Sequence, residues 1–218
     1  MNKKLLKIKR ALQSPEAAHV ASRVAIPAGL LLFAAIFDEE TGSFEPPIYN
    51  YQYFPARIAS GARPESALRW IVIHSTEGDT AAGAASWFQN PAAGGSTQLV
   101  VGEDGLYRSL DDLVRPAGAP GANDEGLHIE FAGYAKWPRE TWLARKKTLE
   151  DGSKAIAEWG RKYKIPLKML TIEQLRDPTS RGVTTHAMVS QAFKKSDHWD
   201  PGTGFPFDVV LSTAMAMV

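Results

Sequence analysis

Four metal-binding side chains, His186, Asp197, His198 and Asp200, fall within the single stretch Thr184 to Gly202, TTHAMVSQAFKKSDHWDPG. A zinc ion takes three or four such donors at about 2 Å, and a catalytic zinc keeps one coordination position for water or substrate. The chain has no Cys, so thiolate ligands and disulfides are excluded and any metal must be held by imidazole and carboxylate. His186 and Asp200 lie fourteen positions apart, 200 minus 186, a spacing that suits one ligand before a short helix and one on the loop after it. A third ligand must come from elsewhere.

His74 is the best-placed third donor, because it ends the strongest strand pattern, Leu68 to His74. β-branched and aromatic residues fill that run, and alternation puts Trp70, Val72 and His74 on one face. The polar turn Ser75-Thr76-Glu77-Gly78-Asp79 comes next, placing His74 at the strand's carboxyl end, where open sheets bind ligands. Gly126 to Phe131 reads as another strand, with Leu127, Ile129 and Phe131 on one face and His128 with Glu130 on the other. An acid beside a His there reads as a catalytic or ligand-supporting pair, or as a solvated edge.

The remaining elements are set by periodicity and turn chemistry. Thr80 to Asn90 predicts a short helix anchored by Trp87 and Phe88. Thr97 to Val101 and Leu106 to Leu110 flank Glu103-Asp104-Gly105, a hairpin in which Asp-Gly supplies positive φ at the turn. Arg115 to Asn123, rich in Pro and Gly, is a loop that can line a groove. Thr141 to Tyr163 predicts one helix, with Trp142, Leu149, Ile156, Tyr163 and Trp159 as its core stripe and Glu150–Lys154 and Glu158–Lys162 as solvent-side pairs. Ile165 to Leu170 reads as a return strand, Asp177 to Gly182 as a turn, and Pro206 to Val218 as an apolar helix.

The first 67 residues read differently. MNKKLLKIKR carries five cations and no acid, yet no long apolar run comes after it. Val24 to Phe37 is free of charge over only fourteen residues and contains Pro27 and Gly29, too short for a span. The expectation is a buried helix there, with neither a cleaved signal nor a membrane span. Residues 1–45 are thus expected as a small helical appendage, 46–67 as a Pro-rich linker, and 68–218 as the main domain. Tyr49, Tyr51 and Tyr53 in the linker suit either sugar stacking or packing on their own domain.

At 218 residues, 44% hydrophobic and 22% charged, the chain is an ordinary globular protein large enough for one well-buried domain. A net charge of +1 argues against nucleic acid as a partner. Alternating strands and helices predict an α/β fold, a central mixed β-sheet with helices on both sides.

WIVIHST, LHIEFAG, TTHAMVS and DPGTGFP, in this order and over roughly Leu68 to Leu211, resemble the zinc-dependent N-acetylmuramoyl-L-alanine amidases, a family that includes phage endolysins and is related to the peptidoglycan recognition proteins. By position, the resemblance implies zinc ligation by His74, His186 and Asp200, with Glu130 as catalytic acid/base. Two places depart from the family: a basic residue, often Lys, is replaced by His198, and a Tyr of some phage members is Thr97 here. His198 is therefore expected as the catalytic oxyanion donor, and Thr97 and Trp87 as substrate-binding residues. Partners of the ligands must fix their orientation, and His128 and Ser75 are the candidates.

The resemblance further implies hydrolysis of the amide between muramic acid and L-Ala in peptidoglycan by a Zn2+-containing monomer. Such an enzyme would be held in the host cytoplasm before lysis and then act on the wall, without membrane insertion. Two other readings stay open: a peptidoglycan-binding module without catalysis, and a zinc endopeptidase cutting within the stem peptide.

Overall fold

The structure, a computed structural model, describes residues 50–218 together with two short strands upstream, β1 (Ile36–Phe37) and β2 (Phe44–Glu45). These pair antiparallel. Ile36 and Phe37 are thus strand where a helix was expected, in keeping with the preference of Ile and Phe for pleated surfaces. The rest of the expected helical appendage, including the basic decapeptide, lies outside the described residues.

Six strands form the main sheet in the order β3 (Gln52–Tyr53), β6 (Gly105–Arg108), β5 (Leu99–Gly102), β7 (Gly126–Phe131), β4 (Trp70–Ser75) and β8 (Gly182–Thr185). Every neighbouring pair is parallel except the β5–β6 hairpin, so the sheet is mixed. All of β4 is buried, as expected of a parallel strand covered on both faces. In the hairpin, Gly102 pairs with Gly105, which leaves Glu103 and Asp104 as the loop. The positive φ, 137°, is on Gly105, the first residue of β6. Asp104 accepts from the amides of Ala81 and Ala82, both at 2.9 Å, and so caps the neighbouring helix.

One face of the sheet is covered by α2 (Arg139–Ala144), α3 (Lys146–Tyr163) and α6 (Phe207–Met215). There Ile71, Ile73, Ile129 and Phe131 pack with Trp142, Ile156, Trp159 and Leu211. The opposite face carries α1 (Ala81–Phe88), α4 (Ile172–Arg176) and α5 (His186–Phe193). Trp70 and Val72 meet Leu175 and Val189 on one side of it, and Val100 and Tyr107 meet Ala81 and Ala85 on the other.

Several expectations change. The single helix from Thr141 is two, broken at Arg145 with φ −85° and ψ 62°. The break lets the Trp142 ring pack edge-on to Trp137 and Phe205, with centroids at 5.2 and 5.0 Å. Glu150 does pair with Lys154 at 2.8 Å, but Glu158 is buried and Lys162 reaches Asp112 at 3.2 Å. Ile165 to Leu170 makes a single bridge, Met169 to Val183, in place of a strand, and Pro166 offers no amide for a ladder.

The stretch expected as a linker is built into the domain from Tyr51 onward. Tyr51 is buried in the core, and Gln52–Tyr53 extends the sheet beside β6. Arg63 is buried, and its guanidinium donates to the carbonyls of Asp112, Asn123 and Gly126. Burial pulls that guanidinium down to about 10, against the pull of Asp112. Irregular chain leaves no periodic trace in sequence even when it packs tightly. Among the described residues, no helix is long and apolar enough to cross a membrane.

Candidate metal centre

The parallel registers decide which side chains meet. His74 pairs with Glu130, while Ile73 pairs with Thr185. The next residue after Thr185, His186, is therefore level with His74, and Glu130, His74 and His186 form one row at the carboxyl ends of three strands. His186 opens α5, whose N-cap Thr185 accepts from the Met188 amide at 3.1 Å.

Asp200 comes to this row from a loop. Its carbonyl accepts from the Ala187 amide at 3.0 Å. Two residues on, Gly202 has a φ of 82°, and a Cβ there would sit 1.9 Å from the Ala135 carbonyl oxygen. Only glycine fits so close to another backbone in that conformation, so Gly202 presses the loop against the β7–α2 connection.

The three candidate ligands are buried, at 2% exposure for His74, 4% for His186 and 7% for Asp200. Asp200 Oδ2 is 3.2 Å from His74 Nδ1, and Oδ1 is 3.2 Å from His186 Nδ1. Donors bonded at about 2.05 Å in a tetrahedral zinc site lie about 3.3 Å apart, so this spacing suits the ion. One donor atom from each residue can be chosen so that all lie within 4.8 Å of one another. His186 Nε2 is enclosed without a hydrogen-bond partner. The donor set and its spacing fit zinc.

Electrostatics agree with a cation site. Burial would raise the Asp200 carboxyl, but hydrogen bonds from His186 and His74 hold it far below the usual carboxylate range. Burial opposes charge on His74, yet the Asp200 hydrogen bond and the Glu130 and Asp200 charges lift it above the ordinary imidazole value. For His186 burial wins and the shift is downward.

Glu130 is half-buried, and its Oε2 is enclosed without a protein partner. Burial pushes its pKa up to about 7; His74 opposes this, and the negative Asp200 and Glu77 add to it. A cavity of about 370 Å³ opens over the row, lined by His74, Glu130, His186, Asp200, Thr97, His198 and Phe88 among others. A larger one, about 560 Å³, lies by β3 and the end of α3 and contains none of the proposed chemical groups.

His198 is exposed, with its ring stacked on His186 at 4.0 Å and Nδ1 3.3 Å from Asp200 Oδ1. Asp197 is exposed and stands outside the ligand group. Thr97 is buried in the cavity wall and donates its hydroxyl proton to the Leu99 carbonyl at 3.2 Å. Trp87, expected as a helix anchor, is 50% exposed. The buried face of α1 runs through Ala81, Ala85 and Phe88 at helical spacing, and Phe88, not Trp87, lines the cavity.

Of the two candidates for orienting a ligand, His128 places Nδ1 3.0 Å from His74 Nε2, while Ser75 donates to Glu77 at 2.9 Å. Glu77 was missed. It has a left-handed φ of 51° and also accepts from the Ala135 amide at 2.7 Å, tying the loop after β4 to the one that Gly202 touches. In sequence it is one polar residue in a turn, with no signal beyond that.

The profile of a family described as N-acetylmuramoyl-L-alanine amidase matches residues 64–203, more than half of the chain. The chain belongs to this amidase family. No curated protein matches it significantly. Among solved structures, the amidase resembles the Staphylococcus aureus hydrolase AmiA in complex with its ligand, at 18% identity and a TM-score of 0.58, over 77% of this chain and 85% of that one. A mutant endolysin from Bacillus subtilis aligns at 15% identity and TM-score 0.51, over 78% of this chain and 100% of the other. The catalytic domain of XlyA aligns at 15% identity and TM-score 0.50, over 78% and 99%. At these identities the likeness concerns the fold.

Proposed function

We propose that this amidase is a zinc hydrolase of peptidoglycan, with His74, His186 and Asp200 as ligands, Glu130 as proton carrier and an endolysin's role in lysis. The observation that carries the reading is the convergence of two imidazoles on the two oxygens of one buried carboxylate, with Glu130 in the same row. A bound zinc would supply Lewis acidity, lowering the pKa of water and polarising the scissile carbonyl.

The chain's own residues account for the rest. Glu130 opens on the cavity, and in the metal-free protein burial pushes its carboxyl up to about 7. It takes a proton from the attacking water and returns it to the departing amine, a nitrogen that leaves poorly unless protonated. His198 donates its Nδ1 proton to Asp200, and in the imidazolium form, in which both ring nitrogens are donors, its Nε2 donates to the developing oxyanion. Thr97 spends its proton on Leu99, so toward substrate it serves as an acceptor. The exposed ring of Trp87, next in sequence to the cavity-lining Phe88, suits stacking on wall sugars. All three ligand positions carry competent donors, which favours the enzyme over a binding module.

The purified protein should hold one zinc per chain by elemental analysis, and a chelator should abolish turnover until zinc is restored. Asp200→Ala should lose both zinc and activity while keeping its far-ultraviolet circular dichroism. Full zinc occupancy in that variant would contradict the ligand set and move the third ligand to Asp197 or His198.

A further inference from the structure

His128 has no surface of its own. It is fully buried, its Nδ1 is 3.0 Å from Nε2 of His74, and its Nε2 faces the Ala122 carbonyl oxygen at 3.5 Å. The ring is clamped on two sides: a Cβ on Gly118 would lie 2.5 Å from Nδ1, and one on Gly126 2.8 Å from Nε2. A buried imidazole held this closely, in contact with a ligand but outside the ligand group, needs a reason.

We propose that His128 is a positioning residue that fixes the proton of His74 on Nε2 and so presents the Nδ1 lone pair of His74 to the metal. A carbonyl oxygen can only accept, so the Ala122 carbonyl, which also takes the amides of Glu125 and Gly126, favours across its 3.5 Å contact the His128 tautomer with its proton on Nε2. Nδ1 of His128 is then an acceptor, which requires the proton of His74 to be on Nε2. The remaining nitrogen of His74, Nδ1, is the one 3.2 Å from Asp200; the proton it donates to that carboxylate in the metal-free site is the one a zinc ion would displace. Metal-bound imidazoles characteristically donate their other N–H to an acceptor that sets orientation; here a second imidazole, itself set by backbone, takes that part. The chain of bonds also joins the loop over Gly118, which borders the cavity, to the metal ligand.

This inference rests on the metal reading above, and the test separates the two. In the zinc-loaded full-length protein, long-range 1H–15N NMR of the imidazoles should show His74 protonated at Nε2 and His128 as the neutral Nε2–H tautomer. His128→Leu, which removes the acceptor, should weaken zinc binding roughly 10- to 100-fold, and His128→Asn, which restores an acceptor near Nδ1, should recover most of it. A merely structural role would lower the unfolding temperature of the zinc-free protein alike in both variants without changing the zinc dissociation constant. Zinc bound to His74 through Nε2, or unchanged zinc affinity in folded His128→Leu, would overturn the proposal. Should the Leu variant not fold, the wild-type tautomers decide. A wild-type protein that binds no zinc would instead overturn the metal reading.

Discussion

Glu130 is kept half-buried beside two carboxylates at the cost of its own ionisation. In the metal-free protein its pKa is raised from 4.5 to about 7, so its contribution to stability is complete below the unfolded value and is lost as pH rises through 7. Glu130→Gln should therefore stabilise the metal-free protein at pH 8, by at most about 3 kcal/mol, and leave it unchanged near pH 4. In the zinc-loaded protein the same variant should retain the metal and bind wall fragments as before. Its turnover should fall about a hundredfold to ten-thousandfold. Near-normal turnover would point to another base. At this scale much was legible in the sequence: strand alternation put His74 and Glu130 at usable positions, and the carboxyl-terminal cluster drew attention to His186 and Asp200. The bond from His128 to His74 was not, because it depends on strand register, and Glu77 carried no pattern at all.

Element boundaries show where sequence signals stop. β7 was legible to the residue and β4 nearly so, since their faces alternate between a packed core and the site. The break at Arg145 was invisible because the apolar stripe continues across it; the packing of Trp142 decides it. The segment from Tyr51 to Ala67 misled because Pro and Gly mark irregular backbone, whether packed or loose. A truncated chain beginning at residue 50 keeps Tyr51, β3 and Arg63, and should fold and cleave soluble muramoyl-peptide. One beginning at residue 63 loses the edge strand and the buried ring, a deficit of roughly 1.5–3 kcal/mol from burial alone. Thermal unfolding of the two should show the shorter as the less stable. Equal unfolding temperatures would return 50–62 to the status of a linker.

Across the whole molecule, Asp112 ties α3 to the hairpin side of the sheet. Its carboxylate accepts from Arg108 at 2.8 Å, Trp159 at 3.1 Å, Lys162 at 3.2 Å and Tyr163 at 2.8 Å. Burial would raise its pKa, but Arg108 and Lys162 outweigh that and hold it at about 2 against 3.8. The folded value is depressed, so this stability is present above pH 4 and is lost as pH falls toward 2. It amounts to about 2 kcal/mol, and Asp112→Asn should remove at least that much at pH 7 and flatten the acid limb of the unfolding curve. An unchanged acid limb would show that the acid sensitivity lies elsewhere.

The central claim concerns which bond is cut, and one digestion addresses it directly. Purified peptidoglycan treated with the zinc-loaded enzyme should release peptides whose new amino terminus is L-Ala, leaving glycan strands with free lactyl carboxylates. New amino termini within the stem peptide while the muramoyl link stays intact, or no new termini at all, would contradict the assignment.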